Sequence, residues 1–260
     1  METLTKTVAV VYFSPTDTSK KVALALAEGA GAKEIKEFDL TTDESLSPIV
    51  CDADLLVLAA PVYAGRVALQ AIQRFQRIQA SGVPALVAVV YGNRDYEDAL
   101  IELRDEAEKL HLKVIAAGAF IGEHSFSRKQ MPVAEGRPDA SDLQKARELG
   151  QKAVLKLAQG FSEETLWVKG NVPYRTIKEQ PPVAPVCLEG CTLCGKCIAV
   201  CPVHAISKSP EGKIETDAAK CTLCCACVKK CPFGQRVFDT PFTKYLYENF
   251  RERREPEFFL

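Results

Sequence analysis

No stretch of this 260-residue chain stays apolar for the roughly 20 residues that a helix needs to cross a bilayer. Charge of one sign is missing too. The 33 Lys and Arg against 34 Asp and Glu leave a net charge of −1, so no global field draws the chain to nucleic acid or anionic lipid. The opening residues, from Met1 to Tyr12, lack a basic stretch followed by an apolar core and a small-residue cleavage site. They run straight into a strand-like segment. The expectation is a cytoplasmic protein that binds neither nucleic acid nor membrane. There is no G-x-G-x-x-G, so direct oxidation of a nicotinamide dinucleotide has no support. Cysteine is nearly absent from the first 186 residues, where Cys51 stands alone, and the other ten lie between Cys187 and Cys231. The odd total and the missing export signal disfavour a secreted disulfide framework. At 47% hydrophobic and 26% charged the composition is globular, and the length suits one large domain or two ordinary ones.

The crowded cysteines form a repeat. Cys191-Thr-Leu-Cys194-Gly-Lys-Cys197-Ile-Ala-Val-Cys201-Pro202 is followed thirty residues later by Cys221-Thr-Leu-Cys224-Cys225-Ala-Cys227-Val-Lys-Lys-Cys231-Pro232. Each is a C-x2-C-x2-C-x3-C-P run. Three closely spaced thiolates wrap one face of a cubane, and the fourth iron needs a cysteine from elsewhere. C-x2-C pairs also make zinc sites, but zinc ribbons rarely use two full four-cysteine runs ending in Cys-Pro. The pattern resembles the bacterial two-cluster ferredoxins, in which the fourth cysteine of each run serves the other cluster. That resemblance implies one [4Fe–4S] cluster on Cys191, Cys194, Cys197 and Cys231, and a second on Cys221, Cys224, Cys227 and Cys201. Cys187 and Cys225 fall outside the ligand pattern. A short hairpin around Ile214 joins the repeats.

Ahead of this region, strand-like and helix-like segments alternate. Strands are expected at 7–13, 34–40, 54–60, 84–91 and 113–121, and helices at 18–29, 67–80, 95–111 and 139–159. Such alternation predicts a doubly wound parallel sheet of five strands. Ligands in these sheets bind beyond the carboxyl ends of the strands. After the first strand come Ser14, Thr16, Asp17, Thr18 and Ser19, leading into a helix. Hydroxyls ahead of free helix N–H groups suit a phosphate, although such a turn also serves as a plain N-cap. The third strand is followed by Pro61, Val62, Tyr63, Ala64 and Gly65. The fourth leads into Tyr91, Gly92, Asn93, Arg94, Asp95 and Tyr96. Each of these two loops sets an aromatic ring beside a glycine, which permits stacking and close backbone approach to a flat ligand. As ordinary rim aromatics these tyrosines need no ligand.

These three loops resemble the phosphate loop and the two isoalloxazine loops of the flavodoxins. The resemblance implies FMN, its phosphate on Ser14, Thr16, Thr18 and Ser19 and its ring between the loops 61–65 and 91–96. Asp17 stands where that family usually has glycine; Asp tolerates a left-handed backbone better than most residues. Residues 122–127, with His124, lie at the same end of the sheet, positioned to cover the flavin or face the cluster domain. His124 reads as a hydrogen-bonded loop histidine, Cys51 as a packing residue and His111 as a helix-end residue compatible with the dipole.

The expected organisation is a flavodoxin-like α/β domain at 1–165, a proline-bearing semi-rigid linker at 166–185, a small α+β two-cluster ferredoxin domain at 186–240 and a helical tail at 241–260 that docks on the body. As a whole the chain resembles flavodoxin–ferredoxin fusion proteins. That implies an electron-transfer protein carrying FMN and two [4Fe–4S] clusters and serving a redox partner protein, with a homodimer left open. The alternatives are an FMN-dependent reductase that takes in electrons through the clusters, and a redox sensor with labile clusters.

Overall fold

A strand covered on both faces needs apolar residues at successive positions, not alternate ones. The computed structural model, which describes residues 7–80, 82–160, 164–178 and 181–260, places such runs at the centre of one sheet. The leader reading of the first six residues lies outside the described residues. The strands are β1 (Thr7–Tyr12), β2 (Glu34–Asp39), β3 (Leu55–Tyr63), β4 (Pro84–Tyr91) and β5 (Lys113–Ile121). They pair in parallel in the order β2-β1-β3-β4-β5, the doubly wound order whose switch point lies between β1 and β3.

Alternate residues feed two cores. Val8, Val10 and Tyr12 of β1 join the face covered by α1 (Thr18–Gly29) and α4 (Ala140–Ala158), while Ala9 and Val11 join the face covered by α2 (Leu69–Phe75) and α3 (Ala99–Lys109). Helices α1 and α4 approach so closely that a Cβ on Gly150 would meet the Leu26 carbonyl oxygen at 2.1 Å. Asp139 caps α4 through a reciprocal box with Asp142.

Four expected elements differ. The third strand runs three residues past 60, to Tyr63, because Pro61 still pairs with Val90 and Val62 and Tyr63 turn back on Val67 and Arg66. The second helix is shorter than 67–80: after Phe75 the chain straightens, and Ile78–Gln79 pairs with Ile49–Val50. The third starts at Ala99 rather than Asp95, because the buried Asp98 turns its carboxylate outward to bind Asn171 N–H at 2.9 Å and Arg175 N–H at 2.7 Å. The tail is helical only over α7 (Pro241–Phe250). Beyond the charged residues 251–255 and Pro256, which cannot continue a helix, Glu257–Phe259 pairs antiparallel with Ala117–Ala119 of β5. The five-stranded parallel sheet therefore gains an antiparallel edge strand from the C-terminus.

The stretch 166–175 lies along α3. Val168 is buried, Arg104 donates to the Leu166 carbonyl at 2.9 Å, and the Tyr174 hydroxyl donates to Asp105. The second domain holds four two- or three-residue strands, β6 (Val186–Cys187), β7 (Ile206–Lys208), β8 (Ile214–Thr216) and β9 (Arg236–Val237). Their ladders are the β7–β8 hairpin and the β6–β9 pair. Two single-turn helices, α5 (Lys196–Ala199) and α6 (Ala226–Lys229), follow the cysteine turns. No helix among the described residues is long and apolar enough to cross a membrane.

The C-terminal strand half-buries Phe258 and Phe259 against the two cores, Phe258 with its ring 5.4 Å from that of Phe120. Deleting residues 256–260 is expected to cost about 2 kcal/mol at ordinary burial energies, or roughly 5 °C in melting temperature for a chain of this size. Segment 117–119 should lose amide-exchange protection. Unchanged protection there would show that the strand contributes no pairing.

Candidate functional site: the carboxyl end of the sheet and the thiol cavity

The turn after β1 is shaped by Asp17, whose backbone is left-handed at φ 63°. It brings Ser14 back onto the start of α1. The Ser14 hydroxyl accepts from Lys20 N–H at 3.0 Å, and Ser14 N–H donates to the Thr41 hydroxyl at 2.8 Å. Ser14 therefore works as a helix cap. Ser19 differs: it is fully buried in the first turn of α1, and its hydroxyl has no hydrogen-bond partner. Thr16, Asp17 and Thr18 remain half-buried around it. A buried orphan hydroxyl beside free helix N–H groups is the local chemistry an anionic oxygen satisfies. The Asp17 carboxylate is met at 2.8 Å by Lys230 of the second domain.

Pro61, Val62 and Tyr63 form the end of β3 rather than a loop: Pro61 and the following Gly65 are buried, Val62 and Tyr63 half-buried, and Ala64 exposed. Burial pushes the Tyr63 phenol well above its ordinary value, and the thiols of Cys224, Cys225 and Cys221 push the same way. The end of β3 thus lies within electrostatic reach of the second cysteine run. The loop after β4 is engaged elsewhere. Tyr91 and Tyr96 are core residues with ring centroids 5.4 Å apart, and the Tyr96 hydroxyl donates to Glu257 at 2.7 Å. Asn93, buried and left-handed, donates to the carbonyls of Phe250 and Glu252 at 2.5 and 2.7 Å. Arg94 pairs with Glu97 at 2.8 Å, and the Asp95 carboxylate accepts from Glu97 N–H at 3.0 Å. Gly92 is required by close approach, since a Cβ there would meet Cδ2 of His124 at 2.4 Å.

The loop after β5 faces the second domain. Glu123 pairs with Lys229, whose ammonium also donates to the Ser127 carbonyl at 3.1 Å. Phe126 packs edge-on against Phe238 and Phe242, with centroids 5.0 and 6.3 Å away. His124 accepts from Phe126 N–H at 3.0 Å. Desolvation, then the positive charges of Lys229, Arg94 and Arg128, hold its imidazole down to about 4.

In the second domain Cys201, Cys221, Cys224 and Cys227 line one cavity, closed by Val203, Ala205 and Ile206 among others. Cys225 lines it as well. Its backbone is left-handed at φ 56°, the conformation Gly195 takes at φ 74° in the first run. Burial pushes the Cys224 thiol up to about 12 and the Cys225 thiol further. Unliganded thiols in so apolar a cavity stay protonated, and a metal cluster converts them to thiolates. Four thiols on the wall of one apolar cavity are a donor set that fits an iron–sulfur group. The first run is more open: Cys194 is exposed and Cys191 half-buried, while Cys197 is buried. Burial would raise Cys231, but the N–H groups of Phe233, Arg236, Gln235 and Gly234 outweigh it together and leave the thiol below its ordinary value. That is a thiolate cradle.

The packing of Lys229 and Lys230 onto Glu123 and Asp17 lies outside what sequence reasoning found, as does Arg236. The lysines sit just before Cys231, and only the adjacent cysteine run marked the segment at all.

Residues 190–235 match the family model of the 4Fe-4S dicluster domain. Among solved structures, a flavodoxin from the domain Archaea is 14% identical over 58% of this chain and 99% of its own, with a TM-score of 0.40. Flavodoxin 1 from Bacillus cereus is 13% identical over 58% of this chain and 98% of its own, at a TM-score of 0.41. A flavodoxin, WrbA-like protein from Agrobacterium tumefaciens is 19% identical over 59% and 98%, at 0.40. No curated protein matches the chain. The strand order itself makes the first domain flavodoxin-like. The chain joins that domain to a 4Fe–4S dicluster domain of the ferredoxin kind.

Two measurements test this site. If Cys201 belongs with the second run, Cys201→Ala and Cys224→Ala will each lose the same cluster, seen as an equal loss of iron and the disappearance of the same reduction step. Loss of different clusters refutes the crossed ligation. For His124, the folded ring titrates near 4 and the unfolded one near 6.5. Between those values the unfolded chain binds more protons, so stability falls as the pH falls. The slope is at most about 1.4 kcal/mol per pH unit. His124→Gln should flatten the decline in stability between pH 6.5 and 4.5; an identical slope would remove His124 as its source.

Proposed function

We propose that this chain is an electron-transfer flavo-iron–sulfur protein, with FMN at the switch point of the sheet and two [4Fe–4S] clusters in the second domain. The observation that carries this reading is the docking of the cysteine domain on the carboxyl end of the sheet, where Lys230 pairs with Asp17 at 2.8 Å, Lys229 pairs with Glu123 and Phe238 packs on Phe126. It brings the walls of the two cofactor sites together. A flavin exchanges one or two electrons and each cluster one, so their union makes a short wire with an electron-number converter at one end.

The chain's own residues do the positioning. Ser19, with Thr16 and Thr18, supplies hydroxyls for the phosphate, while Ser14 fixes the turn. Pro61–Gly65 lies on the flank toward the clusters, and residues 91–96 on the opposite flank, tied to the C-terminal segment. The Asp17 carboxylate would repel a phosphate, and Lys230 offsets that charge. The expected ligand sets are Cys191, Cys194, Cys197 and Cys231 for one cluster, and Cys221, Cys224, Cys227 and Cys201 for the other. The exposed Cys194 edge is the side on which a redox partner protein would approach. The cluster domain faces the Tyr63 flank, and that favours a carrier over a reductase needing an open face there.

The test is the cofactor content of anaerobically purified protein. About eight irons, eight sulfides and one FMN per chain are expected. Iron without flavin would overturn the flavin half of the reading, and flavin without iron the cluster half. Ser19→Ala should then weaken FMN binding by about tenfold or more, the loss typical of one hydrogen bond to a charged group, with iron content unchanged. Equal affinity would move the phosphate away from α1.

A further inference from the structure

A buried guanidinium normally sits on a carboxylate, because its desolvation is repaid only by a close counter-charge. Arg236 is 2% exposed, yet its partners carry no carboxylate. It donates to the Pro185 carbonyl at 2.9 Å, to the Thr216 hydroxyl at 2.7 Å, to Cys187 Sγ at 3.4 Å and to Cys227 Sγ at 3.8 Å. Its Nε–H is buried with no partner. Among the described residues no carboxylate pairs or hydrogen-bonds with it, and the thiols of Cys187 and Cys227 stand against it instead. In turn its charge acts on Cys197 of the first run and on Cys221 and Cys227 of the second. The position is fixed twice: β9 pairs with β6, registering Arg236 against Cys187, and Thr216 of the hairpin holds the fork.

We propose that Arg236 is the shared counter-charge of both cluster sites, a positioning residue that raises the reduction potential of each cluster. The inference rests on the iron–sulfur reading above. Adding an electron to a thiolate-bound cluster adds negative charge, and a fixed cation nearby favours that reduced state. Net charge and hydrogen bonds to sulfur are among the terms that set such potentials. In the low-polarity interior the interaction is poorly screened. One residue between two sites raises both, more strongly the site of Cys227 that it touches. Cys187, outside both ligand sets, is explained as an acceptor that orients the guanidinium.

The test is an anaerobic potentiometric titration followed by electron paramagnetic resonance, on the full chain, for wild type, Arg236→Gln and Arg236→Lys, with iron and sulfide measured on each. Wild type without two clusters would refute the underlying iron–sulfur reading and not this one. With two clusters present, Arg236→Gln should move both reduction steps to more negative potential. Arg236→Lys, which keeps the charge, should restore most of that shift. A shift in only one step, or in neither, overturns the proposal. If Arg236→Gln loses iron, Arg236→Lys decides: retention of both clusters with potentials near wild type supports the role, and loss of iron in Lys as well overturns it, since charge alone would then not be what the clusters need.

Discussion

In a parallel sheet every strand ends at the same edge, and this single constraint arranges the molecule. The loops after β1, β3, β4 and β5 must all gather there, and each has been turned to a different neighbour. The turn after β1 meets Lys230, Tyr63 lies within electrostatic reach of the second cysteine run, the loop after β4 meets the C-terminal segment, and the loop after β5 meets Lys229 and Phe238. The magnitudes separate energy from register. Half-exposed pairs such as Lys230–Asp17 are worth about 1 kcal/mol or less. The Phe126–Phe238–Phe242 contacts add about 0.5–1.5 kcal/mol per pair beyond their buried area. The aromatic contacts are thus worth at least as much per pair as the ion pairs, and the lysines fix which way the cluster domain faces.

Much of this was legible locally. The apolar runs of β1, β4 and β5 and the small-residue helix 18–29 stood out because both faces of the sheet are covered, so burial leaves a continuous signal. The two cysteine runs were legible because ligand spacing is a property of one loop. What failed to show is what depends on distant partners. Glu257–Phe259 becomes a strand only because β5 offers a free edge; a three-residue strand has no period to read. The third helix was read four residues too early because Asp98 is engaged by Asn171 and Arg175, on a segment far along the chain. Asp17 looked like a departure from the expected glycine because its partner, Lys230, is 213 residues away.

The two cysteine runs share their spacing but not their surroundings, and the difference has a physical cause. The second run lines a cavity closed by Val203, Ala205 and Ile206, and Cys224 and Cys227 are buried with their thiols pushed up. The first run has no such cover, and Cys194 stays exposed. Solvent stabilises the more negative state of a charged group, so an open site and a dry one of identical ligands would differ in potential, the dry one being harder to reduce. A cation placed at the dry site offsets that difference. Arg236 donates to Cys227 of the drier site at 3.8 Å, while its charge still acts on Cys197 of the open one. The burial of the drier site is thus compensated from within the cysteine domain itself, by the one buried guanidinium that has no carboxylate to satisfy among the described residues.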